Sequence, residues 1–255
     1  MNAPSLSPSA AHAVHLLFEW AAIAIGVQLY RRQRASAGIG GILSGSGYAV
    51  VIGCILGAAI GNKLVFWIEY PHLWAAHAGT FTVWMSGQSI VGGLLGGLLG
   101  VEIAKKMTGQ RHSTGDQFVL PLMAGIAFGR IGCFLAGLND GTYGKPTALP
   151  WGVDFGDGVT RHPTQVYDIV FVLAWGGLLL ALRAHWRDKA GLMFKLFLSG
   201  YLVWRVGIDA IKPLRYDYGA GLGGVQLVCL AALLCYLPLL ARQLAAPAPL
   251  KAIEP

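Results

Sequence analysis

The chain has 255 residues, 55% of them hydrophobic and 12% charged, with 36 glycines and a mean hydropathy of +0.57. Soluble domains carry about twice that share of charge, so the composition excludes an ordinary water-soluble fold and points to helices packed in lipid. The formal net charge of +7 does not indicate nucleic acid as a partner, because its basic residues sort by membrane side.

Seven apolar spans are predicted near 13–30, 48–69, 87–104, 117–137, 165–182, 193–211 and 223–241. At about 1.5 Å per residue, each is roughly long enough to cross a hydrocarbon layer ~30 Å thick. Arg31, Arg32, Arg34, Lys105, Lys106, Arg111, Arg183, Arg187, Lys189, Lys195, Arg242 and Lys251 then fall on one side, and Lys145, Arg161, Lys212 and Arg215 on the other. The positive-inside rule places the C-terminus in the cytoplasm and the N-terminus outside. The expected fold is an all-α integral membrane protein, one polytopic domain over 1–255 with an external loop at 138–164. Residues 1–11 lack a positive n-region and the first span ends in RRQR, so no cleavable signal peptide is expected. Cys54, Cys133, Cys229 and Cys235 lie in apolar spans without metal-like spacing and read as small packing residues.

Span 1 sets His12, His15 and Glu19 on one helical stripe near its outer end. Glu19, about two turns into the membrane, needs a partner or a water-filled cavity. A His-x3-Glu metal pair is conceivable there, but no third or fourth ligand is in sight, and no metal or cofactor is expected. Span 2 carries Gly57 and Gly61 as a small-xxx-small face, followed by Asn62 and Lys63. Lys63 either snorkels outward or pairs with Glu19 or Glu69. Span 3 repeats GGLL and offers a smooth surface to a neighbouring helix or an acyl chain, with Gln88 and Ser89 at its outer end. Span 4 holds Arg130 in its outer half, among Gly125, Gly129, Gly132 and Ala136. A permanent cation there costs from a few kcal/mol to more than ~10 unless an anion or polar cavity meets it. Span 5 opens with Tyr167 and Asp168. Span 6 puts Tyr201, Arg205, Asp209 and Lys212 on one face. Arg205 and Asp209 are spaced for an intrahelical ion pair, yet that pair leaves guanidinium donors free, and the planar fork suits phosphate. Span 7 is apolar throughout and reads as scaffold.

Glu19, Gln88, Ser89, Arg130, Asp168, Arg205 and Asp209 come from five spans and all fall in the outer half of the membrane. The helices are therefore expected to surround a polar cavity open to the outer leaflet. Two arginines in it call for an anionic ligand, and a phospholipid headgroup is the anion most available there. A transporter or channel would show broken helices in matched halves or charge through the full membrane depth. Neither pattern is present. A non-catalytic lipid-binding protein would need the same cations without an activated base or nucleophile.

Four motifs in order carry a resemblance. GRIGCFLAG (129–137) resembles the GRxGNFxNGE-like signature of the prolipoprotein diacylglyceryl transferase family. RHPTQVYD (161–168) is similar to its RHPSQLYE, GYLVWRVGID (200–209) to its GYxxxRxxxE helix, and SIVGGLLG (89–96) to its SFHGGLIG. The resemblance implies a bacterial inner-membrane enzyme, facing the periplasmic leaflet, that moves the diacylglyceryl group of phosphatidylglycerol to the lipobox cysteine thiol of a prolipoprotein. It implies that Arg130 is the essential arginine of the signature, that Arg205 matches the arginine of the span-6 helix and Asp209 replaces its glutamate, and that Gly144 closes the signature after an insertion. Arg161, His162, Gln165 and Tyr167 match the second motif. The chain reads as a divergent member, because the histidine before Gly-Gly-Leu is Val91, and the signature's two asparagines are Cys133 and Ala136. Valine cannot take a proton, which leaves His162, or His15 with Glu19, as the base for an incoming thiol. His162 is preferred, a loop cap before Pro163 being its alternative role. Other acceptors for the same transfer (a sugar, a small thiol, another lipid) stay open.

Overall fold

The computed structural model of the protein describes residues 6–38, 47–77, 79–81, 84, 87–111 and 113–246. Long apolar runs with few charges form helices here because a helix satisfies its backbone within itself. Those helices are α1 (Pro8–Ser36), α2 (Gly47–Glu69), α4 (Ile90–Thr108), α5 (Val119–Ala136), α6 (Thr164–Ala181), α7 (Leu192–Ala210) and α8 (Gly224–Ala245), with a short α3 (Pro71–His77) after α2. Among the described residues, five helical segments are long and apolar enough to cross a membrane, including α5 together with its flanking turns from Gly115 to Asp140. The chain is thus a multi-pass membrane protein. The 19-residue helices α4 and α7 fall outside that group, each carrying three charged side chains.

Glycine sets the closest helix contact. Gly53, Gly57 and Gly61 of α2 face Gly92, Gly96 and Gly100 of α4, and a Cβ on any of them would overlap backbone or side-chain atoms of the facing helix. The GGLL repeat therefore meets a helix, the first of the two partners expected for it. The α1–α5 contact is similar but looser. A Cβ at Gly132 would meet Phe18 Cβ at 2.5 Å, and Tyr30 stacks on Phe118 at 4.6 Å between centroids at the other end of α1. Helices α7 and α8 pack through a core that includes Phe197, Leu198, Tyr201, Leu202, Val225 and Cys229.

Helix ends are fixed by side chains from elsewhere in the chain. The Asp116 carboxylate accepts from Gly191 N at 2.6 Å and Phe194 N at 2.9 Å, capping α7 from across the bundle. At the same end Lys189 and Lys195 donate to Leu244 O and Gln243 Oε1 of α8. At the opposite end Tyr218 donates to Ile68 O at 2.7 Å, and Arg215 donates to Gly141 O.

Two features depart from the sequence reading. The segment 138–164, expected as plain loop, begins in a 3-10 turn (Gly137–Asp140) and contains an antiparallel pair of short strands, β1 (Val153–Asp154) and β2 (Thr160–Arg161). Asp154 Oδ1 forms the hairpin turn by accepting from the N–H groups of Gly156, Asp157 and Gly158. In addition, α4 starts at Ile90 and not at 87, because Ser89 in extended conformation caps it through Oγ. Lys63 donates to Gly87 O at 2.7 Å, a partner the sequence reading did not consider.

Candidate active site

The α1–α5 pair and the α2–α4 pair face each other across a cavity of about 1100 Å³. Its wall changes character along α1. Near the start of the helix it is polar, with His12, His15, Glu19, Gln88, Arg130, Asp140, Arg205, Asp209, Lys212 and Arg215. Further along it is apolar, through Ile23, Val27, Val51, Ile55, Leu94, Leu122 and Phe118.

Two buried cations define the polar end. Arg130 is 4% exposed, and its Nε lies 2.9 Å from Oδ2 of Asp168, a fully buried carboxylate. Trp204 Nε1 donates to the other oxygen of Asp168 at 2.7 Å, and Lys212 Nζ lies 3.9 Å away. Asp168 thus holds Arg130 at Nε, Nη1 points to Cys133 Sγ at 3.8 Å, and the residue lines the cavity. Arg205 gives Nε and Nη2 to Asp209, at 2.8–3.2 Å, and Asp209 also pairs with Lys212 at 3.0 Å. This is the intrahelical pair that the i,i+4 spacing allows, and Nη1 takes no part in it. Each arginine is oriented by its own carboxylate and keeps part of its donor fork, a geometry suited to a phosphate. Buried charges stand in lipid only when paired in this way.

The structure brings Glu19, Gln88, Ser89, Arg130, Arg205 and Asp209 to this one cavity. Ser89 is there mainly as a cap, its backbone N–H donating to Asn62 Oδ1 at 2.7 Å. The second motif lies elsewhere, and none of Gly144, Arg161, His162, Gln165 and Tyr167 is in the cavity wall. Arg161 pairs with Asp157 at 2.6 Å and sits 5.1 Å over the Tyr143 ring. Its guanidinium, hydrogen-bonded to Asp157, holds that exposed carboxyl below the usual carboxylate range. His162 Nδ1 is 3.3 Å from the Tyr167 hydroxyl. Gly144 N donates to His162 O at 2.9 Å, and a Cβ at Gly144 would sit 2.6 Å from His162 Cβ, which is the physical need for glycine there. Gln165 is buried beneath, with neither amide atom hydrogen-bonded among the described residues. Tyr167 lines a second, apolar groove of about 710 Å³ between α6 and α7.

Asp168, expected among the polar groups of the cavity, is fully buried outside its wall as the partner of Arg130, a pairing that no spacing rule gives because the two lie on different helices. Asp140 falls in the insertion, and its carboxylate lies 2.9 Å from His15 Nδ1. Val91, at the position of the family's histidine, is fully buried in the core.

The family model described as prolipoprotein diacylglyceryl transferase matches residues 11–242. A phosphatidylglycerol–prolipoprotein diacylglyceryl transferase of Geobacter sulfurreducens is 32% identical over 227 residues, covering 83% of this chain and 84% of that protein. Its counterpart in Nitratidesulfovibrio vulgaris (strain Miyazaki F) is 29% identical over 229 residues, 82% of each chain. That of Polynucleobacter necessarius is 34% identical over 162 residues, 62% of this chain and 60% of that protein.

Proposed function

Because this chain belongs to the prolipoprotein diacylglyceryl transferase family, we propose that it transfers the diacylglyceryl group of phosphatidylglycerol to the lipobox cysteine thiol of a prolipoprotein, releasing glycerol 1-phosphate. The observation that carries this reading is the two-ended cavity, which has two braced arginines at one end and an apolar wall along the rest. A glycerophospholipid has the same division, an anionic phosphate joined to long apolar chains.

In this reading Arg130 and Arg205 hold the phosphate and stabilise the charge that grows on it as the glycerol C–O bond breaks. Fixed donors aimed at developing charge are often the largest single contribution to catalysis. Asp168 and Asp209 keep the guanidiniums aimed before lipid arrives. Glu19, Gln88 and Ser89 border the headgroup. Gly144, Arg161, His162, Gln165 and Tyr167 shape the external loop above the cavity, the His162–Tyr167 contact bracing that loop, and the loop receives the prolipoprotein peptide. Seven helices span a bacterial inner membrane as a single domain, N-terminus outside, with the polar end of the cavity in the periplasmic leaflet. The distribution of basic residues supports that orientation.

The burial of Val91 favours a second reading, the same transfer to an acceptor other than a lipobox thiol. One assay tests both. Purified protein is incubated with labelled phosphatidylglycerol and a lipobox peptide, and glycerol phosphate release and peptide lipidation are measured together. Lipidation that disappears in Arg130→Ala supports the first reading, whereas release without peptide modification supports the second. Neither product, with phospholipid still bound, would leave a lipid-binding protein.

A further inference from the structure

Beside the phosphate clamp the cavity wall holds three side chains that the clamp does not use. His15 comes from α1, Cys133 from α5 and Asp140 from the turn that follows α5. One donor atom from each lies within 4.8 Å of the other two, and all three border the cavity. Cys133 and the Asp140 side chain are each 7% exposed, and the His15 side chain is 30% exposed, so the cluster sits in the wall with its histidine open to the interior.

Imidazole nitrogen, thiolate sulfur and carboxylate oxygen are the three donor types that bind zinc. A catalytic zinc keeps three protein ligands and leaves a fourth position free. Ligands at roughly 2.0–2.3 Å from one ion stand about 3–4 Å from each other; His15 Nδ1 and Asp140 Oδ1, at 2.9 Å, would part slightly, and no pair exceeds 4.8 Å, so the shifts needed are about an ångström. The surroundings also suit it. Thr142 Oγ1 donates to Asp140 Oδ2, the carboxylate oxygen other than the one facing His15, which fixes the carboxylate as an outer-shell partner does. Arg130 Nη1 lies 3.8 Å from Cys133 Sγ.

We propose that His15, Cys133 and Asp140 bind one Zn²⁺, whose free position takes the incoming acceptor thiol as a thiolate. This rests on the reading of the cavity as a site of diacylglyceryl transfer to sulfur, and it supplies what Val91 cannot. A free thiol, with pKa near ~8.5, is mostly protonated at neutral pH, whereas a metal-bound thiol is deprotonated outright. The sulfur then attacks the glycerol carbon that carries the phosphate. A carbon–sulfur bond forms, the carbon–oxygen bond breaks, and its electron pair leaves on glycerol phosphate between Arg130 and Arg205. The thiol proton goes to water, no oxidant or reductant is consumed, and the thioether product is a weaker ligand that vacates the metal.

The test uses Co²⁺ as a coloured stand-in for Zn²⁺. Full-length protein in detergent is stripped with chelator and titrated with Co²⁺. The expected result is one equivalent bound with tetrahedral visible bands and a thiolate-to-cobalt charge-transfer band, all displaced by Zn²⁺. That band should vanish in Cys133→Ser, binding should weaken at least tenfold in Asp140→Asn, and adding lipobox peptide should intensify the band as a second thiolate binds. Unchanged thermal melting of both stripped variants shows that they are folded. Absence of saturable binding, or the same charge-transfer band in Cys133→Ser, overturns the proposal. So does stripped protein that lipidates peptide at the full rate, in which case the transferase reading stands and His15 with Asp140 is simply an ion pair. Cobalt bound through Cys133 with no lipidation in any metal state would instead overturn the transferase reading, and the metal's role with it.

Discussion

At the scale of single residues, the decisive contact is between Arg130 and Asp168. Both side chains are almost completely buried and meet at 2.9 Å. Removing one partner of such a pair strands the other charge and costs about 3–5 kcal/mol. Asp168→Ala should therefore lower the thermal midpoint in detergent by several degrees as well as abolish lipid turnover. Arg130→Lys separates the two effects. It keeps a positive charge opposite Asp168 but loses the fork that can hold a carboxylate and a phosphate at once. Turnover should fall at least ~100-fold, the scale of losing one fixed donor to developing charge, with melting changed far less than in Asp168→Ala. Full activity in Arg130→Lys would remove the proposed role. Sequence alone showed that Arg130 needed an anion or a polar cavity, because a cation in an apolar helix is costly. It did not show which one, since Asp168 lies on another helix. The Arg205–Asp209 pair was legible for the opposite reason, as both lie on one helix at i,i+4. His15 was read with Glu19 and Cys133 as a packing residue, and their meeting with Asp140 was not legible because the three come from segments that only folding brings together.

At the scale of helices, two local devices set how the elements meet. The first is the glycine seam between α2 and α4. Gly57→Leu should drive the helices apart, because even a Cβ there overlaps Gly96 O. Gly93→Ala is its control, on the facing helix α4 with open space around the added methyl. The first should lower the midpoint by several degrees and the second should leave it within about a degree, Ala being the better helix former by roughly 1 kcal/mol. Equal effects would mean that the seam does not hold the pair together. The second device is Asp116, which caps α7 from across the bundle. Asp116→Ala should cost about 0.5–2 kcal/mol, the usual range for a lost cap, read as a lower midpoint with α7 fraying first in hydrogen exchange. The long helices were readable because some 20 apolar residues with few charges have no other stable state in lipid. The hairpin at 153–161 and the short α3 were not. Strands of two residues show no alternation, and their stability comes from the Asp154 turn and from bonds to Gly144 and Thr147, none of which leaves a periodic trace.

For the whole molecule, the two helix pairs behave as the walls of a lipid slot. The α1–α5 and α2–α4 pairs are each tight internally, and the α2–α4 wall is tied to the segment before α8 through Tyr218, which bonds Ile68 O, and to α8 itself through Gly224 packed against Ile68. The space between them widens into the cavity, so a bound phospholipid would contact both walls and join them. Ligand that binds only the folded state stabilises it by RT ln(1 + [L]/Kd), about 2.7 kcal/mol at one hundred times Kd. Phosphatidylglycerol added to delipidated protein should accordingly raise the thermal midpoint in a saturable way. Phosphatidylcholine has the same tails but a trimethylammonium on its headgroup, which would meet Arg130, Arg205, Lys212 and Arg215 at the polar end of the slot. It should raise the midpoint less. In Arg205→Gln both lipids should raise the midpoint less, because each carries the phosphate and one of its two holders is gone while the apolar wall is intact. If both lipids stabilise the wild-type protein and Arg205→Gln equally, the slot recognises acyl chains and not the phosphate, and the arginines serve the bundle alone.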